Sequence, residues 1–466
     1  MEHSTASATQ RYTVLARIDR LPPSRYLLSL VGRIASGTWF EFYELFMPGF
    51  IALGLVHGGI FVAKPGSIFD AHLFASFLAS FFLGMFVSTA VFGFVSDRLG
   101  RRSIFVYSML VYSCAQLTIA FLSNPAWIDA ARFVAGLAVG IQLINNDSYI
   151  TELTPRVSRG RYMTAAFVFI LTAIPVTAFL AAWLVPAAPF GIAGWRWVVA
   201  IGAVGGIVVF FLQKGLPESP RWLEVHGRAD EADRIVSAIE ARVQAEYGKP
   251  LPAPSVDVPE AAAETGRWAE MFSAFYLPRT VIISIFQFAQ TLAVFGFTAF
   301  VPMLLVKQGY TVVQSLDYTA MIVLLAPVGA LCANFFSERI ERKWQLVGSA
   351  VLIGAAGAVF ANAHDVAMVM ISGGLIALGN NWLIAIFHPY AAELFPTRIR
   401  ARAVGFTFSW SRISSIFVGY WVADLLAGFG PSGVFVMIGA AMASIIIAIG
   451  LFGPKTNGQS LEILSP

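Results

Sequence analysis

Residues 149–161 read YITELTPRVSRGR, and residues 390–402 read YAAELFPTRIRAR. Tyr, Glu, Leu, Pro and two Arg coincide at a spacing of 241 residues. The same spacing relates GFVSDRLGRR at 93–102 to NFFSERIERK at 334–343, setting Asp97, Arg98, Arg101 and Arg102 against Glu338, Arg339, Arg342 and Lys343. Two separate polar loops with one common spacing identify an internal duplication.

What lies between those loops is apolar. The chain is 57% hydrophobic and 12% charged, against roughly half and a quarter in soluble domains. A membrane helix needs about twenty apolar residues. Windows of that kind run over 27–55, 72–95, 103–123, 127–150, 161–186 and 195–213, and again over 278–306, 314–336, 344–362, 366–388, 403–425 and 431–453. The expected fold is an all-α membrane protein of twelve transmembrane helices in two pseudo-symmetric six-helix bundles. Residues 1–213 form the N-terminal bundle, 214–277 a linker, and 278–466 the C-terminal bundle. In the linker, ADEADRIVSAIEARVQAEYG has the pattern of a surface amphipathic helix and KPLPAPSVDVPE that of a flexible proline-rich segment.

If the N-terminus is cytoplasmic, all but six of the 31 Lys and Arg fall on that side or at its edge. Lys64, Arg196 and Lys307 lie across the membrane, and Arg33, Arg132 and Arg412 fall inside spans. The positive-inside rule then places both termini in the cytoplasm, with the cell (inner) membrane as the expected location. Basic loops scattered between spans suit anionic lipid headgroups, which argues against nucleic acid as a partner. No removable leader is expected at the N-terminus, and the two cysteines, Cys114 and Cys332, both in apolar windows, suggest neither a disulfide framework nor a metal site.

These letters resemble a known family. GFVSDRLGRR is similar to the signature loop of the major facilitator superfamily, ELTPRVSRGR and ELFPTRIRAR resemble its fourth and tenth helix exits, and GLPESPRWL from Gly215 resembles the sugar-porter signature after helix six. WFEFYELF at 39–46, with RIDRLP before it, looks more like the metabolite:proton and aromatic-acid:proton symporters, where two aspartates usually stand at the positions of Glu41 and Glu44. The resemblance implies alternating access around a central site, by a carrier able to work as a monomer. It also matches Tyr43 and Glu44 to the sugar-porter pair that handles the proton, and Arg132 to the corresponding arginine.

Charges inside spans cost at least about 2.5–3.5 kcal/mol on insertion scales, so they face a cavity or a partner. Glu41 and Glu44 stand one helical turn apart on one face, a natural place to carry a proton, and Arg132 is the expected partner of Glu44. The alternatives are a fixed ion pair between helices, or a snorkelling Glu41. Arg412, in SWSRISSIFVGY, is a candidate clamp for a carboxylate, because a guanidinium meets one through two hydrogen bonds; it could instead pair with Glu41 or Glu44. Asn145, Asn146, Asp147, Gln287, Gln290, Asn380, Asn381 and Tyr43 are further candidates for substrate contact, with interhelical bonding the plain alternative for the amides. Asp97, Arg98, Arg101, Arg102, Glu152, Arg159, Arg161, Glu338, Arg342, Glu393 and Arg400 are expected to gate, through ion pairs that tie the two halves together in the outward-facing state.

The function expected is secondary active transport: proton-coupled uptake of a small organic acid, an aromatic or other monocarboxylate. Proton-coupled sugar or polyol uptake, efflux, and a non-transporting sensor are the alternatives. No cofactor is called for. No GxxxxGK[ST] loop suggests ATP as the energy source, and His364 and His388 stand without a nucleophile or metal set, so an enzyme is not expected.

Overall fold

The computed structural model describes residues 13–61, 70–92, 99–254, 267–336 and 339–457. Every regular element among these residues is helical. Eleven stretches are long and apolar enough to cross a membrane. The last, Thr397–Ile447, is two helices, since Gly430 interrupts it at φ 66° and ψ −161° and Pro431 follows. That left-handed φ suits glycine, and the proline cannot continue the ladder. Twelve spans result.

The first six spans are Arg25–His57, Ala71–Phe92, Arg101–Phe121, Pro125–Leu153, Arg159–Ala187 and Gly194–Gln213. The next are Leu277–Thr298 with its continuation Val301–Lys307, Val312–Phe336, Arg342–Ala361 and Val366–Glu393. The eleventh and twelfth are the two parts of Thr397–Ile447, the twelfth ending in a π-helical turn at Ala448–Phe452. Each apolar window falls on one of these spans, except that residues 93–95 of the second window lie outside the described residues. The eleventh helix starts six residues before its window, because the charged stretch 398–402 stays helical after leaving the apolar layer.

The repeat is visible in the packing. The second span lies on the fourth and the third on the sixth; likewise the eighth lies on the tenth, and the ninth meets the twelfth through Phe360 and Phe435, 5.3 Å apart. Small residues set the closest crossings. A Cβ on Gly136 would stand 2.1 Å from the Phe81 carbonyl oxygen, and one on Gly329 2.2 Å from that of Leu378. Gly136→Val is therefore expected to force the second and fourth spans apart, at about 3 kcal/mol. The thermal midpoint of the purified protein in detergent reads this directly, and an unchanged midpoint would contradict so tight a crossing.

The linker differs from its expected form. Helix Ala229–Tyr247 is amphipathic, but its apolar face is covered: Ala232 and Val236 pack with Val14, Ile18 and Leu223, while Ile239 and Val243 join Leu21 and Leu27. The covering comes from the short helix Val14–Asp19 and the start of the first span. Glu240, 8% exposed, accepts from Arg17 and Arg20 at 2.6 Å each. Its hydrogen bond holds the Arg17 guanidinium above its usual pKa. Arg17 also meets Asp233, and Asp19 accepts the Arg156 backbone N–H at 2.8 Å. Residues 255–260 of the proline-rich segment lie outside the described residues. The surface carrying this helix is called the linker face below.

Candidate transport site

The first span carries Glu41 and Glu44 into the centre of the fold. Glu44 is fully buried and Arg132 is 1% exposed; the two side chains are in direct contact between the first and fourth spans. Arg132 Nε donates to the Phe77 carbonyl at 3.1 Å, and its guanidinium lies 4.3 Å from the centre of the Phe77 ring and 4.7 Å from that of Phe81. Two rings, a carbonyl and one carboxylate replace the water an arginine would otherwise hold. Tyr43 turns away from this contact. Its hydroxyl donates to the Val198 carbonyl at 2.7 Å and its ring packs on Gly202, so the expected substrate contact is corrected to a brace between the first and sixth spans.

Glu41 is equally buried, yet neither carboxylate oxygen has a hydrogen-bond partner among the described residues. Its charged surroundings are Asp147 of the fourth span and Arg412 of the eleventh. Arg412 is half-buried and makes no ion pair or hydrogen bond among the described residues. Several amides among the candidates still have bonding capacity: Asn146 Oδ1, Gln287 Nε2 and both polar atoms of Asn380 are buried without partners among the described residues. Gln290 is half-buried nearby in sequence. Two candidates are engaged elsewhere. Asn145 donates to the Arg101 carbonyl at 2.8 Å, bracing the fourth span on the third, and Asn381 donates to the Ala377 carbonyl of its own helix at 2.9 Å.

The sequence reading left His388 alone; the structure gives it company. His388 is solvent-accessible and within the electrostatic field of Asp147, itself accessible and held by Asn146 Nδ2 at 3.1 Å. The imidazole sits 5.6 Å from the ring of Phe408, one turn before Arg412 on the eleventh span. A signal was present in the sequence: 388 minus 147 is again 241, so Asp147 and His388 are repeat equivalents on the fourth and tenth spans.

The halves meet away from the linker face. Phe295 of the seventh span lies 4.8 Å from Phe82 and 6.0 Å from Phe46, and Phe300 lies 5.1 Å from Phe74. A Cβ on Gly49 would stand 2.7 Å from Ala299 Cα. His72 Nε2 and Asp424 Oδ1 are 3.3 Å apart. On the linker face the following pairs lie within one half. Arg101 meets Glu152 at 3.7 Å, and Glu218 accepts the N–H groups of Arg101 and Arg102 at 2.8 and 3.0 Å. Arg159 bonds to the Thr154 carbonyl instead of Glu152, Arg161 is exposed, Arg400 bonds to the Phe395 carbonyl, and Arg342 meets Glu393 at 2.9 Å. Asp97, Arg98 and Glu338 lie outside the described residues. Asp147 and His388 are exposed and stand six and five residues before the linker-side ends of their helices.

The site is thus a set of buried charges and unsatisfied amides contributed by both halves, without a cluster of three or more metal-ligating side chains among the described residues. The family model described as "Sugar (and other) transporter" matches residues 36–466. The chain is 31% identical over 447 residues to YyaJ of Bacillus subtilis, named as a metabolite transport protein, with 96% of each chain covered. It is 28% identical over 451 residues to the niacin transporter NiaP of Acinetobacter baylyi, covering 96% of this chain and 99% of that one. Among solved structures, the partially occluded inward-open form of the xylose transporter XylE from E. coli superposes with a TM-score of 0.76 at 17% identity, over 94% of this chain and 100% of XylE. The chain therefore belongs to the sugar (and other) transporter family, as a multi-pass membrane transporter with the major facilitator fold and not an enzyme.

Proposed function

We propose that the protein couples inward proton flux to uptake of a small aromatic or other monocarboxylate across the cell (inner) membrane, as a monomer. The observation that carries this reading is Arg412, a half-buried cation in mid-span with no ion pair or hydrogen bond among the described residues. A carboxylate supplies the two acceptors it lacks. Niacin, the substrate named for NiaP, is a pyridine monocarboxylate, which supports that class. The rings of Phe408 and His388 offer an aromatic substrate a surface beside the clamp.

In this reading the linker face is cytoplasmic, which the basic loops support. Residues 1–213 and 278–466 rock against each other around the site, and the present contacts describe the inward-facing arrangement. Protonation of Glu44 from outside frees Arg132 and lets the halves exchange faces; return of the proton to the cytoplasm resets the pair. The gating charges on the linker face then re-pair across the halves in the outward-facing arrangement. The sugar reading keeps one specific support, the unsatisfied amides of Gln287 and Asn380, which suit hydroxyl groups.

Liposomes carrying the purified protein, loaded at pH 8 and diluted into pH 6, test this with labelled nicotinate and labelled xylose as probes. Accumulation of nicotinate that collapses with the gradient is expected. Accumulation of xylose alone moves the protein to the sugar class, and uptake of either probe that ignores the gradient refutes proton coupling.

A further inference from the structure

Arg132 has a second carboxylate beside it. Asp129 stands three residues earlier on the fourth span, on the same helix face, and side chains on a helix lean toward its N-terminal turn. The stem of Arg132 therefore points along the path to Asp129. Asp129 is half-buried, and its Oδ2 accepts a hydrogen bond from Ser76 Oγ of the second span at 2.8 Å. Each of Asp129 and Arg132 is within the other's electrostatic field.

The surrounding groups leave few other choices. From the first span Arg132 meets Glu44; from the second, the Phe77 carbonyl and the rings of Phe77 and Phe81; from the third, Tyr112, whose hydroxyl is committed to the Phe40 carbonyl at 3.3 Å. Asp129 faces Ser76 and, from the eleventh span, Tyr420. His72, one turn before Ser76, is paired with Asp424. Glu44 and Asp129 are thus the two anions available to this guanidinium, one in contact and one a turn nearer the face opposite the linker.

We propose that Asp129 is the alternate counter-ion of Arg132, a positioning residue that takes up the guanidinium when Glu44 is protonated. The proposal rests on Glu44 being the proton site. Without a second carboxylate, protonating Glu44 strands a buried cation, which resists the step. With Asp129 in place the cation moves about one helical turn, the charge stays compensated, and the new O–H bond on Glu44 persists until the proton leaves to cytoplasmic water. Ser76 donates to the waiting carboxylate and holds it in place.

The test is nicotinate accumulation in liposomes over a series of external pH values, with nicotinate exchange at zero gradient as the measure of intact folding. Asp129→Asn leaves the guanidinium wholly to Glu44, so the ionised pair is favoured and more acid is needed. Half-maximal accumulation is expected to move about one pH unit lower, with exchange retained and Asp129→Glu restoring the wild-type profile. Ser76→Ala is expected to move it the same way by less. A wild-type profile in Asp129→Asn overturns the proposal while Glu44→Gln remains unable to accumulate. Should Asp129→Asn fail to fold, a wild-type profile in Ser76→Ala overturns it. Normal accumulation by Glu44→Gln removes the reading beneath it, as does a wild type that does not accumulate nicotinate.

Discussion

Glu44→Gln is expected to lose gradient-driven accumulation while keeping substrate exchange. Glutamine matches the protonated acid in shape but can neither release nor take up the proton, so the pair with Arg132 is held permanently in its released form. The coupling free energy between two sites reaches about 3 kcal/mol, so net accumulation should fall roughly 100-fold. Exchange needs only rocking of the loaded carrier and should continue. The variant should also fold, because the neutral amide strands no buried carboxylate and Asp129 remains beside Arg132 on the same helix face. Removing the other partner is different: Arg132→Met strands the buried Glu44 carboxylate. Counterflow assays next to accumulation assays separate the two activities, and a Gln variant that concentrates substrate as the wild type does excludes Glu44 as the coupling group.

Glu44 and Arg132 were legible as a pair from 88 residues apart because the membrane makes charge expensive. Two ionised groups in apolar windows must find one another or water, and little else in those windows could neutralise them. The twelve spans were legible for a related reason, since lipid forces a long apolar run into each helix. Partner choice among uncharged groups was not. Tyr43 and Asn145 looked like site residues by type and depth, yet helix rotation gives their polar atoms to the Val198 and Arg101 carbonyls. Sequence spacing fixes which residues share a face, not which neighbour that face meets.

The linker illustrates the same limit. Alternation of Ala232, Val236, Ile239 and Val243 announced an amphipathic helix, but not that Val14, Ile18 and Leu21 would cover it, because six residues of helix carry too little pattern to read. His388 was missed for another reason. It was judged on its own helix, whereas the duplication sets it opposite Asp147, and only applying the spacing of 241 residue by residue brings the two together.

Arg412→Ala should weaken carboxylate transport most. A charge-assisted hydrogen bond contributes about 1.5–3 kcal/mol, so losing the clamp should raise KM for nicotinate roughly 10- to 150-fold. A neutral analogue, nicotinamide, never used the second charge and should change little. Arg412→Lys keeps the charge but not the planar fork, and should fall between the two. The substitution has a second consequence, because Arg412 is also the cation nearest in effect to the unpaired Glu41. If Glu41 were the true partner of Arg412, the loss would fall on kcat and on all substrates alike, and Glu41→Gln would repair it. A rise in KM confined to carboxylates, unrepaired by Glu41→Gln, marks the guanidinium as the group that holds the substrate; an unchanged KM for nicotinate excludes it.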